Sequence, residues 1–260
     1  MKIKILYLVA SLACAWGLSG CFFGLFGDDK GAAQTQPDPV MMSAEQQNEQ
    51  KGEKDHKKKR KHDEGQTEPS PVIASEAPPP MPLPSGNVDP ETEVAVITTP
   101  LGKIVIALND EQAPKHSENF RRNIRTGLYN GTTFHRIVPG FIVQGGDPNS
   151  KDEDRANDGL GGTGYTLPLE KKLRHDRGAV AAARKPDKVN PQRRSNGSQF
   201  YVCVSDAPFL DGKYSVFGRV VSGMDVVDRI SKVQADAKGN PQDRIEIKAQ
   251  LMKFKDVGGG

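Results

Sequence analysis

From Phe134 to Asp147 the chain reads Phe-His-Arg-Ile-Val-Pro-Gly-Phe-Ile-Val-Gln-Gly-Gly-Asp, setting an arginine and a glutamine among large apolar side chains. Pro139-Gly140 splits the run into two short strands. Side chains alternate faces along a strand, so Ile142 and Gln144 share one face while Val143 points to the other. The outcome is an apolar surface with two planar polar groups beside it. It suits a ligand that is apolar at one point and amide-like next to it, as a proline in a peptide is. Other chemistries read poorly. No Ser-His-Asp or Cys-His arrangement is suggested locally. Asp152 stands where a calcium loop starting at Asp147 needs glycine, and Asp158 where it needs glutamate, so no metal is expected. Gly161-Gly162-Thr163-Gly164 lacks the lysine and the following helix of a phosphate loop.

The elements that must position these residues are short. Glu93 to Thr98 and Lys103 to Leu108 are rich in Val and Ile, and Thr99-Pro100-Leu101-Gly102 between them carries Pro and Gly at turn positions, which predicts a hairpin. Pro114 can open a helix, Phe120, Ile124 and Leu128 recur every four residues, and Gly127 can close it. A second helix is predicted over Met224 to Val233, and the alternation of Ile245 to Leu251 predicts a half-buried strand. In Gln199-Phe200-Tyr201-Val202, Gln199 and Tyr201 share one face while Phe200 and Val202 share the other. Many short strands with two isolated helices predict a mostly β fold, a closed antiparallel barrel capped by the helices.

The first third of the chain has another character. Lys2 and Lys4 precede an apolar run from Ile5 to Trp16, proportioned like a secretory leader and too short for a bilayer span. Leu18-Ser19-Gly20-Cys21 resembles a bacterial lipobox, which implies a signal peptide over residues 1–20 and a lipid-modified Cys21. Buried lipid CH₂ groups contribute about 0.8 kcal/mol each, enough in several chains to hold a protein on a membrane. No aspartate follows Cys21, so that resemblance implies a bacterial cell envelope protein on the outer membrane, facing the periplasm. Residues 28–90 hold Gln, Lys, Glu and Pro in place of aromatics, with a span of roughly 40 to 50 Å, and residues 21–91 read as a disordered linker, basic and then Pro-rich. The run Lys57-Lys58-Lys59-Arg60-Lys61 could touch anionic surfaces or stand as a solvated linker. The folded domain is expected over residues 92–257.

Charge and cysteine content exclude two classes. Residues 91–260 hold 26 Lys and Arg against 21 Asp and Glu, a net +5 not interleaved with aromatics, so nucleic acid is not expected as a partner. Of three cysteines, Cys14 and Cys21 belong to the leader region and Cys203 is left alone, which excludes a disulfide framework and predicts an inert thiol.

Three blocks in order, Phe134–Asp147, Asn196–Val202 and Phe209–Gly218, resemble the cyclophilin-type peptidyl-prolyl cis/trans isomerases over roughly residues 92 to 255. The resemblance implies eight strands, no cofactor, and proline-containing unfolded or exported polypeptides as partners; a monomer is expected. It implies that Arg136, Gln144 and Phe141 are catalytic, with Arg136 bonding the prolyl nitrogen and Gln144 orienting that arginine. It implies substrate contacts from His135, Ile142, Gln199, Tyr201, Phe209, Leu210 and Tyr214, and backbone alignment of the residue before proline by Ala183 and Arg184. Tyr201 stands where the family often has Phe, Phe209 where Trp is frequent and Tyr214 where His is common, so a weak response to cyclosporin-type inhibitors is expected. A binding module that holds proline segments without catalysis is the alternative.

Overall fold

The computed structural model describes Met81 and residues 88–258. The expected leader, Cys21 and nearly all of the linker lie outside the described residues. Strands β1 (Glu93–Thr99) and β2 (Gly102–Leu108) form the expected hairpin. Helix α1 (Pro114–Arg125) follows, with proline in its first turn. Gly127, at φ 71°, donates its N–H to Ile124 O and ends the helix before Leu128. Strands β3 (Phe134–Val138) and β4 (Ile142–Gly145) flank the Pro139-Gly140 turn, where Gly140 takes φ 69°. Then come β5 (Thr166–Leu167), β6 (Ala179–Ala182), β7 (Ser195–Asn196), β8 (Phe200–Cys203), β9 (Val216–Ser222), helix α2 (Met224–Ile230) and β10 (Lys248–Lys253).

Eight strands make one curled antiparallel sheet in the order β10-β1-β2-β9-β6-β8-β4-β3, and β5 pairs with β7 apart from it. The eight strands of this sheet agree with what the family resemblance implies and the two helices with the sequence pattern; closure does not agree. Strands β3 and β10 stand at opposite ends of the ladder. The alternating run Ile245 to Leu251 is shared between two partners, which is why. Ile245 and Ile247 bond the backbone of Gly131–Phe134 through a single bridge, Thr133 to Glu246, whereas Lys248 onward pairs with β1. Helix α2 also ends three residues early, because the Ser231 hydroxyl turns back to Asp228 O at 2.8 Å and the last turn tightens.

The concave side holds the main core. Ile137, Val143, Val202 and Val180 lie opposite one another across β3, β4, β8 and β6 and belong to it. So do Phe120 and Ile124 of α1 and Val226, Val227 and Ile230 of α2, so each helix covers the sheet with an apolar stripe. Phe120 meets Phe200 edge-on at 5.3 Å between centroids and Tyr129 at 5.0 Å. Such pairs add about 0.5–1.5 kcal/mol each beyond area burial. Phe200 is therefore interior, as its parity requires.

A buried chain of polar groups fastens α1 to the rest, and local sequence gives no sign of it. The helix has Ala113 at its N-cap, which offers no side-chain acceptor. Glu170, far along the chain, supplies one: its carboxylate accepts from the N–H groups of Lys115 and His116 and from His116 Nδ1 at 2.5 Å. His116 Nε2 lies 2.9 Å from Ser195 Oγ. The Ser-His-Glu order has the shape of a nucleophile relay, but Ser195 has no accessible surface, so no substrate reaches it. Its role is to join α1, β7 and the segment before β6.

Candidate active site

Strict alternation from Phe134 would send Arg136 into the main core, because Phe134 is part of it. A β-bulge prevents this. Phe134 pairs with Gly145 and Arg136 with Gln144, so two steps on β3 match one on β4 and His135 is the extra residue. Phe134 and Ile137 then both face inward, and Arg136 moves to the convex side. Gln144 pairs with Tyr201 and Tyr201 with Ala181. Directly opposed residues share a face, so Arg136, Gln144, Tyr201 and Ala181 form one row across four strands.

Around that row lies a second apolar cluster of Val138, Phe141, Ile142, Tyr201, Leu210 and Tyr214, joined by Leu173, Cys203 and several alanines. The expected pocket residues are thus brought together, but most of them lie beneath the surface. Ile142, Tyr201, Leu210 and Tyr214 have no exposed area, while Phe209 is 44% exposed and leans on Phe141 with centroids 5.5 Å apart. A buried neighbour that sequence reasoning missed packs among them: His175 lies nearly parallel to Tyr201, centroids 6.2 Å apart and planes at 15°. Asp211 Oδ1 accepts from both the backbone N–H and Nδ1 of His175, each at 2.8 Å, and so ties this ring to the residue after Leu210. An isolated histidine in a polar stretch carries no pattern that would have revealed it.

The polar residues divide by what they hold. Gln144 Nε2 donates to Gln199 Oε1 at 2.9 Å. Gln199 Nε2 donates to Gly159 O at 2.9 Å and Gly161 O at 2.8 Å, which brackets the loop after β4. Asp147 completes that bracket, accepting from Gly161 N at 3.0 Å and Asn149 N at 2.9 Å. A Cβ on Gly161 would come within 2.1 Å of Asp147 Oδ1, so only glycine allows the loop to approach. His135, the bulge residue, is buried with neither ring nitrogen hydrogen-bonded. Burial pulls its pKa down against the opposing pull of Asp147 and Asp158, so it is neutral and bonds nothing in this state.

The backbone of Ala183 is already engaged. Its N–H donates to Gln199 O and its C=O accepts from Asn196 N, and Arg184 follows beyond the end of β6. The Arg184 side chain lies over Tyr214, guanidinium carbon 4.3 Å from the ring centroid, and pairs with Asp187 at 2.6 Å. Cys203, on the face of Tyr201, is fully buried, and burial first of all drives its thiol pKa far above the usual range. A separate groove of about 390 Å³ runs along α1 between Pro114, Lys115, Glu118, Asn119, Arg122 and Leu167; it contains none of these residues.

Comparison with known proteins gives the family. Residues 94–250 match the family model described as "Cyclophilin type peptidyl-prolyl cis-trans isomerase/CLD". A probable peptidyl-prolyl cis-trans isomerase of Brucella suis is 43% identical over 150 residues, covering 55% of this chain and 74% of that protein. A peptidyl-prolyl cis-trans isomerase-like 1 of Gibberella zeae is 34% identical, covering 62% of this chain and 96% of the other. Among solved structures, a Cryptosporidium parvum cyclophilin crystallised in the presence of the dipeptide Ala-Pro is similar with a TM-score of 0.54 and 31% identity, over 61% of this chain and 98% of that one. The chain belongs to the cyclophilin-type peptidyl-prolyl cis-trans isomerases.

Proposed function

We propose that this isomerase acts on Xaa-Pro bonds of exported or envelope polypeptides, with Arg136 as the group that stabilises the twisted amide. An Xaa-Pro bond turns slowly because amide resonance sets a barrier of about 18–20 kcal/mol. No bond need break. Catalysis requires only that the twisted form be held more tightly than either planar form, and each 1.36 kcal/mol of that difference is about tenfold in rate. As the bond twists, the prolyl nitrogen regains a lone pair that a guanidinium can hydrogen-bond, so the contact strengthens toward the transition state. The observation that carries this reading is the bulge at His135, which turns Arg136 onto the row of Gln144 and Tyr201 beside Phe141 and the exposed Phe209. Gln144 and Gln199 act as one positioning unit, since each amide is held by the next group along.

The envelope location rests on the lipobox-like Leu18-Ser19-Gly20-Cys21 behind a charged and apolar leader. Lipid on Cys21 would hold the domain on the outer membrane with the linker giving it reach into the periplasm. The rival reading, a module that binds proline segments without turning them, uses the same cleft. A protease-coupled peptide assay with the full-length protein separates the two. Acceleration above the uncatalysed rate is expected; a background rate despite measurable peptide binding would leave only the binding module.

A further inference from the structure

Arg184 gathers two exposed lysines beside Tyr214, at the edge of the proposed proline site. Its Nε donates to Lys213 O and its NH1 to Lys185 O, each at 2.9 Å, so one guanidinium holds both backbones next to Tyr214. That guanidinium is itself spent on Asp187, the carboxylate in the same loop, which also takes Arg193 through Oδ2 at 2.8 and 3.0 Å. Asp211, on the other side, is held by His175. The ammonium groups of Lys185, Lys188 and Lys213 are exposed, and among the described residues none of them makes an ion pair. Two of these uncompensated charges, on Lys185 and Lys213, are gathered by Arg184, and Lys188 follows in the same loop as Lys185, while the carboxylates of Asp187 and Asp211 are occupied. Lys185 and Lys213 flank Arg184, whose backbone stands beyond the end of β6 at the position expected to align the residue before proline.

We infer that Lys185, Lys188 and Lys213 form a subsite for a carboxylate side chain immediately N-terminal to the proline, so that the preferred clients carry Asp or Glu before it. This rests on the isomerase reading and names its substrate class. Charge complementarity supports it, and the placement at the edge of the proposed proline site favours a peptide over any other anion. Such a contact is exposed, so it is modest and screened by salt.

The test uses full-length protein and three peptides that differ only at the residue before proline, Glu, Ala or Lys, with cis/trans exchange followed by NMR so that no protease selectivity enters. At low ionic strength the rate per unit enzyme is expected to be about three- to tenfold higher for Glu than for Lys, with Ala between, and the ratio should collapse toward one in about 1 M salt. The triple substitution K185Q/K188Q/K213Q should abolish the preference while the Ala peptide is still turned over. Equal rates for Glu and Lys peptides, or a preference untouched by salt, would overturn the carboxylate subsite with the isomerase intact. Loss of binding to phosphatidylglycerol vesicles in the triple variant, with peptide selectivity unchanged, would assign the lysines to a lipid surface and also overturn it. Failure to accelerate any of the three peptides would instead contradict the isomerase reading itself.

Discussion

Arg136 stands directly across the β3–β4 pair from Gln144, and this pairing exists because one extra residue, His135, is accommodated on β3. Gln144 is fixed in turn by Gln199, so the face that carries Arg136 is set by hydrogen bonds that run away from it into the loop at Gly159 and Gly161.

That arrangement makes Gln199 a positioning residue. Gln199→Ala should leave Gly159 O and the Gln144 amide without partners and Gly161 O with only the Asn196 amide, and cost about 1–3 kcal/mol of stability. Hydrogen exchange at the Gly161 amide should quicken, and the isomerase rate should fall with it. Gln199→Glu offers no N–H to the two carbonyls and should not rescue either; an Ala variant with unchanged exchange at Gly161 would contradict the bracket.

Glu170 predicts an acid dependence of stability. Burial acts to raise its pKa, but hydrogen bonds from the His116 ring and from the His116 and Lys115 N–H groups prevail and hold the carboxyl below its usual range. A depressed folded-state pKa stabilises the fold above the unfolded value, about 4.3, and that stabilisation is lost as pH falls through the folded value. Thermal melts between pH 7 and pH 3 should show the loss, and Glu170→Gln should flatten its share of it. Identical pH profiles for the two proteins would remove the clamp from the account.

Cys203 should be chemically silent in the native state. A fully buried thiol with its pKa driven upward presents almost no thiolate. Alkylation by iodoacetamide at pH 8, mapped by peptide mass spectrometry, should leave Cys203 unmodified in the folded protein and label it in denaturant. Labelling of the native protein at the denatured rate would show that the cluster beneath Tyr201 opens.

The anchor has its own test. Mass spectrometry of the mature N-terminus should show an acylated Cys21, and Cys21→Ser should release the protein from the membrane fraction with the isomerase rate unchanged. An intact Met1 or an unmodified Cys21 would contradict the lipoprotein proposal.

Much of the fold was legible because it rests on local rules. The β1–β2 hairpin follows from its turn residues, α1 from Pro114 and a four-residue apolar repeat, and the inward Phe200 from parity. What alternation could not supply is the bulge: counting by twos from Phe134 puts Arg136 on the wrong face, and only pairing with β4 reveals the extra residue. The buried His175, the Glu170–His116–Ser195 chain and the internal use of Gln199 join residues 36, 54, 79 and 40 positions apart, a distance at which a single sequence carries no spacing signal. Closure was misjudged for a related reason, since one alternating run serves two partners.

The central claim is that the Arg136 guanidinium holds the twisted amide better than the planar one. The most direct measurement is NMR exchange on an Ala-Pro peptide with full-length wild type and Arg136→Ala, each checked for an unchanged fold by its backbone spectrum. Removing a donor aimed at the transition state should lower the rate about 10²- to 10³-fold, with peptide affinity falling far less. Because arginine stays charged and burial disfavours the charged form of His135, the wild-type rate should be nearly flat across neutral pH in the same experiment. Equal rates for the two proteins, with the fold intact, would contradict the account.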